Sequence, residues 1–192
     1  MKVGLYFGSF NPIHVGHVII ANYFAEHSNL DEIWFVVSPH NPHKKKDSLL
    51  ADYHRLAMVN IALEDYSKLK SSNIEFDLPQ PSYTVNTLVH LQEKFKEHEF
   101  CLIMGEDNLK SFHKWKNFEV ILENNQIYVY PRITNNREKS DLLTHKNIHQ
   151  IAAPRMEISS TYIRKGIKEK YNIQPMLPAK VWKYLDEMNF YK

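Results

Sequence analysis

MKVGLYFGSFNPIHVGHVIIANYF, residues 1–24, passes from one hydrophobic period to another. Val3–Phe7 is a near-continuous apolar run, the pattern of a strand buried on both faces of a parallel sheet. From Val15 through Phe24 the apolar residues recur with helical spacing. Between them lies GSFNPIHVGH, Gly8–His17, with two glycines, a serine and two histidines in one connection. Gly8 ends the strand where the backbone turns tightly or lets a ligand approach. Ser9 and the main-chain N–H groups beyond it are donors suited to phosphate oxygens, and the helix beginning near His14 points its positive end at the same space. His14 and His17 share one face of the first turn, and Gly16 removes a side chain that would block a close-lying ligand. An imidazole, with an ordinary pKa near ~6.5, donates a hydrogen bond whether neutral or charged. Together these features suit a phosphate chain. Taken singly, either histidine reads as a helix cap or a half-exposed surface group. A zinc pair on a helix favours i,i+4 spacing and a third ligand.

The pattern continues along the chain. Ile33–Val37 is a second buried strand, and Pro39 and Pro42 bracket the polar loop SPHNPHKKKD. Asp52–Leu63 places Leu56, Val59 and Leu63 on one helical face. Ile74–Phe76 reads as a short strand, Thr84–Phe95 as a helix, and Phe100–Met104 as a third buried strand ending at Gly105. Phe118–Leu122 reads as helical and Ile127–Pro131 as a strand; Thr134–Asn147 is polar and is expected to be a mobile loop. Ile148–Ala152 supplies a last strand, and Ser159–Tyr171 and Ala179–Met188 read as closing helices. Strands alternating with helices predict an open parallel α/β sheet with right-handed crossovers. Ligands of such sheets bind outside the C-terminal strand ends, near a switch in strand order. That rule selects GSFNPIHVGH, SPHNPHK and GEDN (Gly105–Asn108).

Bulk properties narrow the class. A chain of 192 residues is expected to form one domain with a real core. A net charge of +2 is too small for a nucleic-acid coat. The single cysteine, Cys101, excludes an internal disulfide. The apolar run after Lys2 is too short for a signal-peptide core, and no stretch approaches the ~18 apolar residues of a membrane span. A soluble cytoplasmic protein without membrane or nucleic-acid partners is expected. The phosphate-loop pattern G-x-x-x-x-G-K-S/T and the dinucleotide pattern G-x-G-x-x-G are both absent.

GSFNPIHVGH resembles the H-x-G-H signature of the nucleotidyltransferase superfamily, which includes the class I aminoacyl-tRNA synthetases. ISSTYIR, Ile158–Arg164, resembles the second half of that signature. SPHNPHK, PSYTVNTL, LIMGEDNL and FHKWKNF narrow the resemblance to the bacterial nicotinate-nucleotide adenylyltransferases, over essentially the whole chain. The resemblance implies a single nucleotidyltransferase domain over residues 1–192. Its fold would be a Rossmann-like open parallel sheet with helices on both faces and a C-terminal helical extension. It implies transfer of the adenylyl group of ATP to nicotinate mononucleotide, giving deamido-NAD and pyrophosphate. The attacking group is then a phosphate monoester, largely dianionic near neutrality with a second pKa of ~6. The missing carboxylate pair or nucleophile triad is therefore expected.

Roles follow from the resemblance alone. His14, His17, Lys44 and Arg164 are the implied catalytic set. ATP contacts fall to Gly8, Ser9, Phe10, His14, Gly16, His17, Gly105, Asp107, Ile158, Ser159, Ser160, Thr161 and Arg164. Ser9, Lys44, Tyr83, Thr84 and Trp115 fall to the mononucleotide. Several of these keep a second reading. Asp107 would accept from the ribose hydroxyls or cap a helix; Ser159, Ser160 and Thr161 form an ordinary N-cap cluster as well as a phosphate clamp. Trp115 would stack on the pyridine ring or pack in the core, and Lys45 and Lys46 read as solvated. Asn41, Asn86 and Glu106 depart from the usual pattern, and Glu106 is expected to point away from the nucleotide. Mg²⁺ is expected on the ATP phosphates rather than in a protein cage. Oligomeric state is open, with a homo-oligomer compatible. The alternatives are an enzyme for nicotinamide mononucleotide or phosphopantetheine, and a nucleotide sensor without turnover.

Overall fold

In the computed structural model the described residues are 1–39, 49–132 and 140–192. Strands and helices alternate through β1 (Lys2–Gly8), α1 (Val15–His27), β2 (Glu32–Val37), α2 (Asp52–Leu63), β3 (Leu69–Ser72), α3 (Thr84–Lys94) and β4 (Glu99–Gly105). They continue through α4 (Glu106–Lys110), α5 (Phe118–Asn124), β5 (Ile127–Tyr130), β6 (Ile148–Gln150), α6 (Ser160–Lys168) and α7 (Ala179–Glu187). The strands form a six-stranded sheet in the order β3-β2-β1-β4-β5-β6, and every pairing is parallel.

Alternation along the strands divides the core. Tyr6, Ile33, Phe35, Cys101, Ile103, Tyr128 and Tyr130 face a cluster built with α1, α2, α6 and α7. Val3, Leu5, Phe100, Leu102, Met104, Ile127 and Val129 face a second cluster with residues of α3 and α5. Helices therefore cover both faces, as expected for a parallel sheet. α1 is anchored by Val18, Ile20, Ala21, Phe24 and Ala25. Phe24 is 0% exposed, so its truncation to alanine would cost about 3–5 kcal/mol. α7 reaches α2 through the Tyr184 hydroxyl, 2.9 Å from His54 Nδ1. Among the described residues no helix is long and apolar enough to cross a membrane.

Two sequence readings are corrected. Ile74–Phe76 is a turn, and the third strand is the polar segment Leu69–Ser72. An edge strand needs only one buried anchor, here Leu69; Ile74 and Phe76 are apolar because they pack onto the two clusters from the turn. Part of the polar stretch Thr134–Asn147 is also structured, with a turn of 3₁₀ helix at Asp141–Thr144.

β1 pairs with β2 on one side and β4 on the other, so strand order reverses there. Register sets Gly8 beside Val37 and Gly105 beside Tyr130. The first residues after β1, β2, β4 and β5 thus share one rim, where such sheets bind ligands.

Candidate active site

His14 is the N-cap of α1, with extended φ −142° and ψ 169°. Its main-chain N–H donates to His17 Nδ1 at 3.3 Å. An accepting Nδ1 leaves Nε2 as the protonated nitrogen of a neutral His17 ring. The two rings stack at 3.6 Å and 21°, while Phe10 and Tyr6 meet His17 edge-on at 5.1 and 6.1 Å. The expectation that both imidazoles share one face is met. His14 is 4% exposed, and among the described residues its Nδ1 has no hydrogen-bond partner. Burial, with the positive charge of Arg132, pushes its pKa down to about 3, so the imidazole is neutral near pH 7.

The glycines make room for neighbouring rings. A Cβ on Gly16 would meet His14 Nδ1 at 3.1 Å and Met156 Cβ at 3.6 Å, so its smallness makes room for the histidine ring. A Cβ on Gly8 would meet the Phe10 ring at 2.7 Å. Phe10, at positive φ of 43°, folds back over the strand end. Its side chain is 2% exposed and packs in the core.

The second motif lies against the first. Ser159 is the N-cap of α6, accepting from the Tyr162 N–H at 3.1 Å. The Ser160 hydroxyl donates to the Pro12 carbonyl at 2.9 Å. Arg164 donates to the Asn11 carbonyl at 2.8 Å and lies 3.4 Å from Thr161 Oγ1. Ile158 packs against the core.

At the neighbouring strand ends, Gly105 is the N-cap of α4, so Asp107 falls inside the first turn and is not the cap. It pairs instead with Arg132 Nε at 3.5 Å. A Cβ on Gly105 would meet Asp107 Oδ1 and Arg132, explaining the glycine. Glu106 accepts from the Arg132 main-chain N–H at 3.4 Å, closing the strand end rather than standing loose. Arg132 was not singled out from sequence, although the strand-end rule that selected Gly8 and Gly105 applies equally to the residues after β5.

Tyr83 is the N-cap of α3, and Thr84 begins the helix. Lys116 Nζ lies 4.6 Å over the Tyr83 ring, bringing the HKWKN segment to this helix start. Trp115 is half-buried, 5.2 Å edge-on from Phe112, and packs against the second cluster. Lys44, with Asn41, Lys45 and Lys46, lies outside the described residues.

A cytidylyltransferase-like family model matches residues 5–166. The chain is 69% identical to a probable nicotinate-nucleotide adenylyltransferase of Christiangramia forsetii, over 100% of this chain and 98% of that protein. It is 66% identical to one of Flavobacterium psychrophilum over 100% of both chains. A Plasmodium falciparum nicotinic acid mononucleotide adenylyltransferase solved in complex with NaAD shares the fold. Its TM-score is 0.85 at 21% identity, covering 99% of this chain and 97% of that one. With both signature motifs joined at one sheet rim and relatives matching end to end, the chain belongs to the nicotinate-nucleotide adenylyltransferase family of cytidylyltransferase-like proteins.

Proposed function

We infer that the chain transfers the adenylyl group of ATP to nicotinate mononucleotide. The observation that carries this reading is the junction of the two motifs: stacked His14 and His17 at the start of α1, with Arg164 and Ser160 bonded to the loop before them.

A phosphate oxygen of the mononucleotide attacks the α-phosphorus of ATP. The new P–O bond forms as the bond from that phosphorus to the bridging oxygen breaks, and pyrophosphate leaves with the electron pair. The dianionic nucleophile needs no general base, so positioning and charge stabilisation supply the rate. Neutral His14 and His17 serve as hydrogen-bond donors to phosphate oxygens, backed by the positive end of α1. Arg164 and Arg132 add fixed positive charge. Ser9 and Lys44 are assigned to the mononucleotide phosphate, and Gly105 and Asp107 to the adenosine ribose. Tyr83, Thr84 and Trp115 are assigned to the nicotinate ring and carboxylate, where a helix start favours an anion over a neutral amide.

Among the described residues no three His, Cys, Asp or Glu side chains cluster to hold a metal. Mg²⁺ enters this reading as part of the MgATP substrate, where it would neutralise phosphate charge.

The test is His17→Ala. Pyrophosphate release should fall about 10²–10³-fold, with the circular dichroism spectrum and melting temperature retained. Near-normal turnover in a folded variant would remove the phosphate role.

A further inference from the structure

We propose that Arg55 is a positioning residue that fixes the start of the loop after β2, at Ser38 and Pro39, against Ser9 in the loop after β1. The proposal rests on the adenylyl-transfer reading, in which those loops carry the mononucleotide phosphate.

Arg55 lies on the buried face of α2 with Met58, Val59 and Ala62, and it is 0% exposed. A guanidinium has five N–H donors in a planar fork, and here each has an acceptor. Nε donates to the Leu50 carbonyl at 3.0 Å. Nη1 donates to the carbonyls of Ser9 at 2.6 Å and Ser38 at 2.8 Å. Nη2 donates to the Pro39 carbonyl at 3.3 Å and to Asp52 Oδ1 at 2.9 Å. Four of the five acceptors are main-chain carbonyls, drawn from three separate segments. A buried arginine serving only charge balance would be satisfied by carboxylates. This one has a single carboxylate partner and otherwise gathers backbone. The Ser38 N–H adds a bond to the Gly8 carbonyl at 2.9 Å, tying the same two loops.

The geometry separates arginine from lysine. An ammonium keeps the charge but offers three donors from one point, so Arg55→Lys leaves carbonyls on both loops without a donor. Arg55 meets the loop after β1, which ATP shares, at the Ser9 carbonyl alone, and it holds the start of the loop after β2 at both Ser38 and Pro39. The larger defect should therefore fall on the mononucleotide.

The experiment compares wild type, Arg55→Lys and Arg55→Gln in steady-state pyrophosphate release, varying nicotinate mononucleotide and MgATP separately. Circular dichroism confirms folding. The proposal expects KM for the mononucleotide to rise about tenfold or more in Arg55→Lys, and further in Arg55→Gln. KM for ATP should stay within about threefold. Equal changes in both KM values, or a loss fully accounted for by a smaller folded fraction, would overturn it. If wild type itself transfers nothing to nicotinate mononucleotide, the adenylyl-transfer reading fails. Arg55 is then decided by amide hydrogen exchange. Faster exchange confined to Ser9–Asn11 and Ser38 in Arg55→Lys upholds it, and unchanged or uniform exchange rejects it.

Discussion

Arg164 Nη1 donates to the main-chain carbonyl of Asn11 at 2.8 Å, joining residues 153 positions apart. The two motifs are thus held together by a charge-assisted hydrogen bond before any nucleotide arrives. Such bonds contribute about 1.5–3 kcal/mol. Arg164→Ala should raise KM for ATP about 10- to 100-fold in steady-state assays and move KM for the mononucleotide much less. Equal rises would place Arg164 outside the ATP side of the site.

Gly16→Ala tests the packing beneath His14. Alanine gains up to ~1 kcal/mol of helix propensity over glycine, but its Cβ would lie 3.1 Å from His14 Nδ1. Stability by urea unfolding should change by no more than about 1 kcal/mol, because the two effects oppose. Turnover should fall about tenfold, because the ring shifts. Full activity would show that His14 need not sit where it does.

Trp115→Ala should weaken the mononucleotide about tenfold and ATP hardly at all, as loss of a ring–cation contact predicts. Because Trp115 also packs on Phe112, thermal melts of the same variant are needed. Equal losses for both substrates would make the residue structural.

Stability should depend on His14 in acid. Its folded pKa of about 3 lies below the ordinary 6.5, so the unfolded chain binds more protons between those values. The contribution is complete above pH 6.5 and is lost as pH falls, by at most ~1.4 kcal/mol per pH unit. Glu75 opposes this: burial pushes its carboxyl up, so its contribution is lost as pH rises above its ordinary value. Unfolding free energies of wild type and His14→Gln between pH 5 and 6.5 separate the two. The variant's slope should be shallower by up to one proton, and identical slopes would contradict the buried neutral imidazole.

What the sequence makes legible follows physical lines. Val3–Phe7, Ile33–Val37 and Phe100–Met104 stand out because central parallel strands are apolar on both faces. The rim site stands out because two histidines three residues apart join a serine and two glycines between a strand and a helix. Leu69–Ser72 is hidden because an edge strand needs one anchor only. Ile74–Phe76 misleads because buried turns are apolar too. Arg55 is invisible in DYHRLAMVNIAL: a charge in a helix reads as solvent-facing, and its backbone acceptors at Ser9, Ser38 and Pro39 leave no trace in its neighbours. Only the cap alternative for Asp107 gives way, because α4 begins at Glu106 with Gly105 as its cap, which leaves the carboxylate beside Arg132.

The most direct test of the central claim is pyrophosphate release from MgATP with nicotinate mononucleotide, nicotinamide mononucleotide and phosphopantetheine offered in parallel. Release with the nicotinate compound well above the other two is the expected result. Release led by another acceptor, or none from any while ATP still binds, would contradict it.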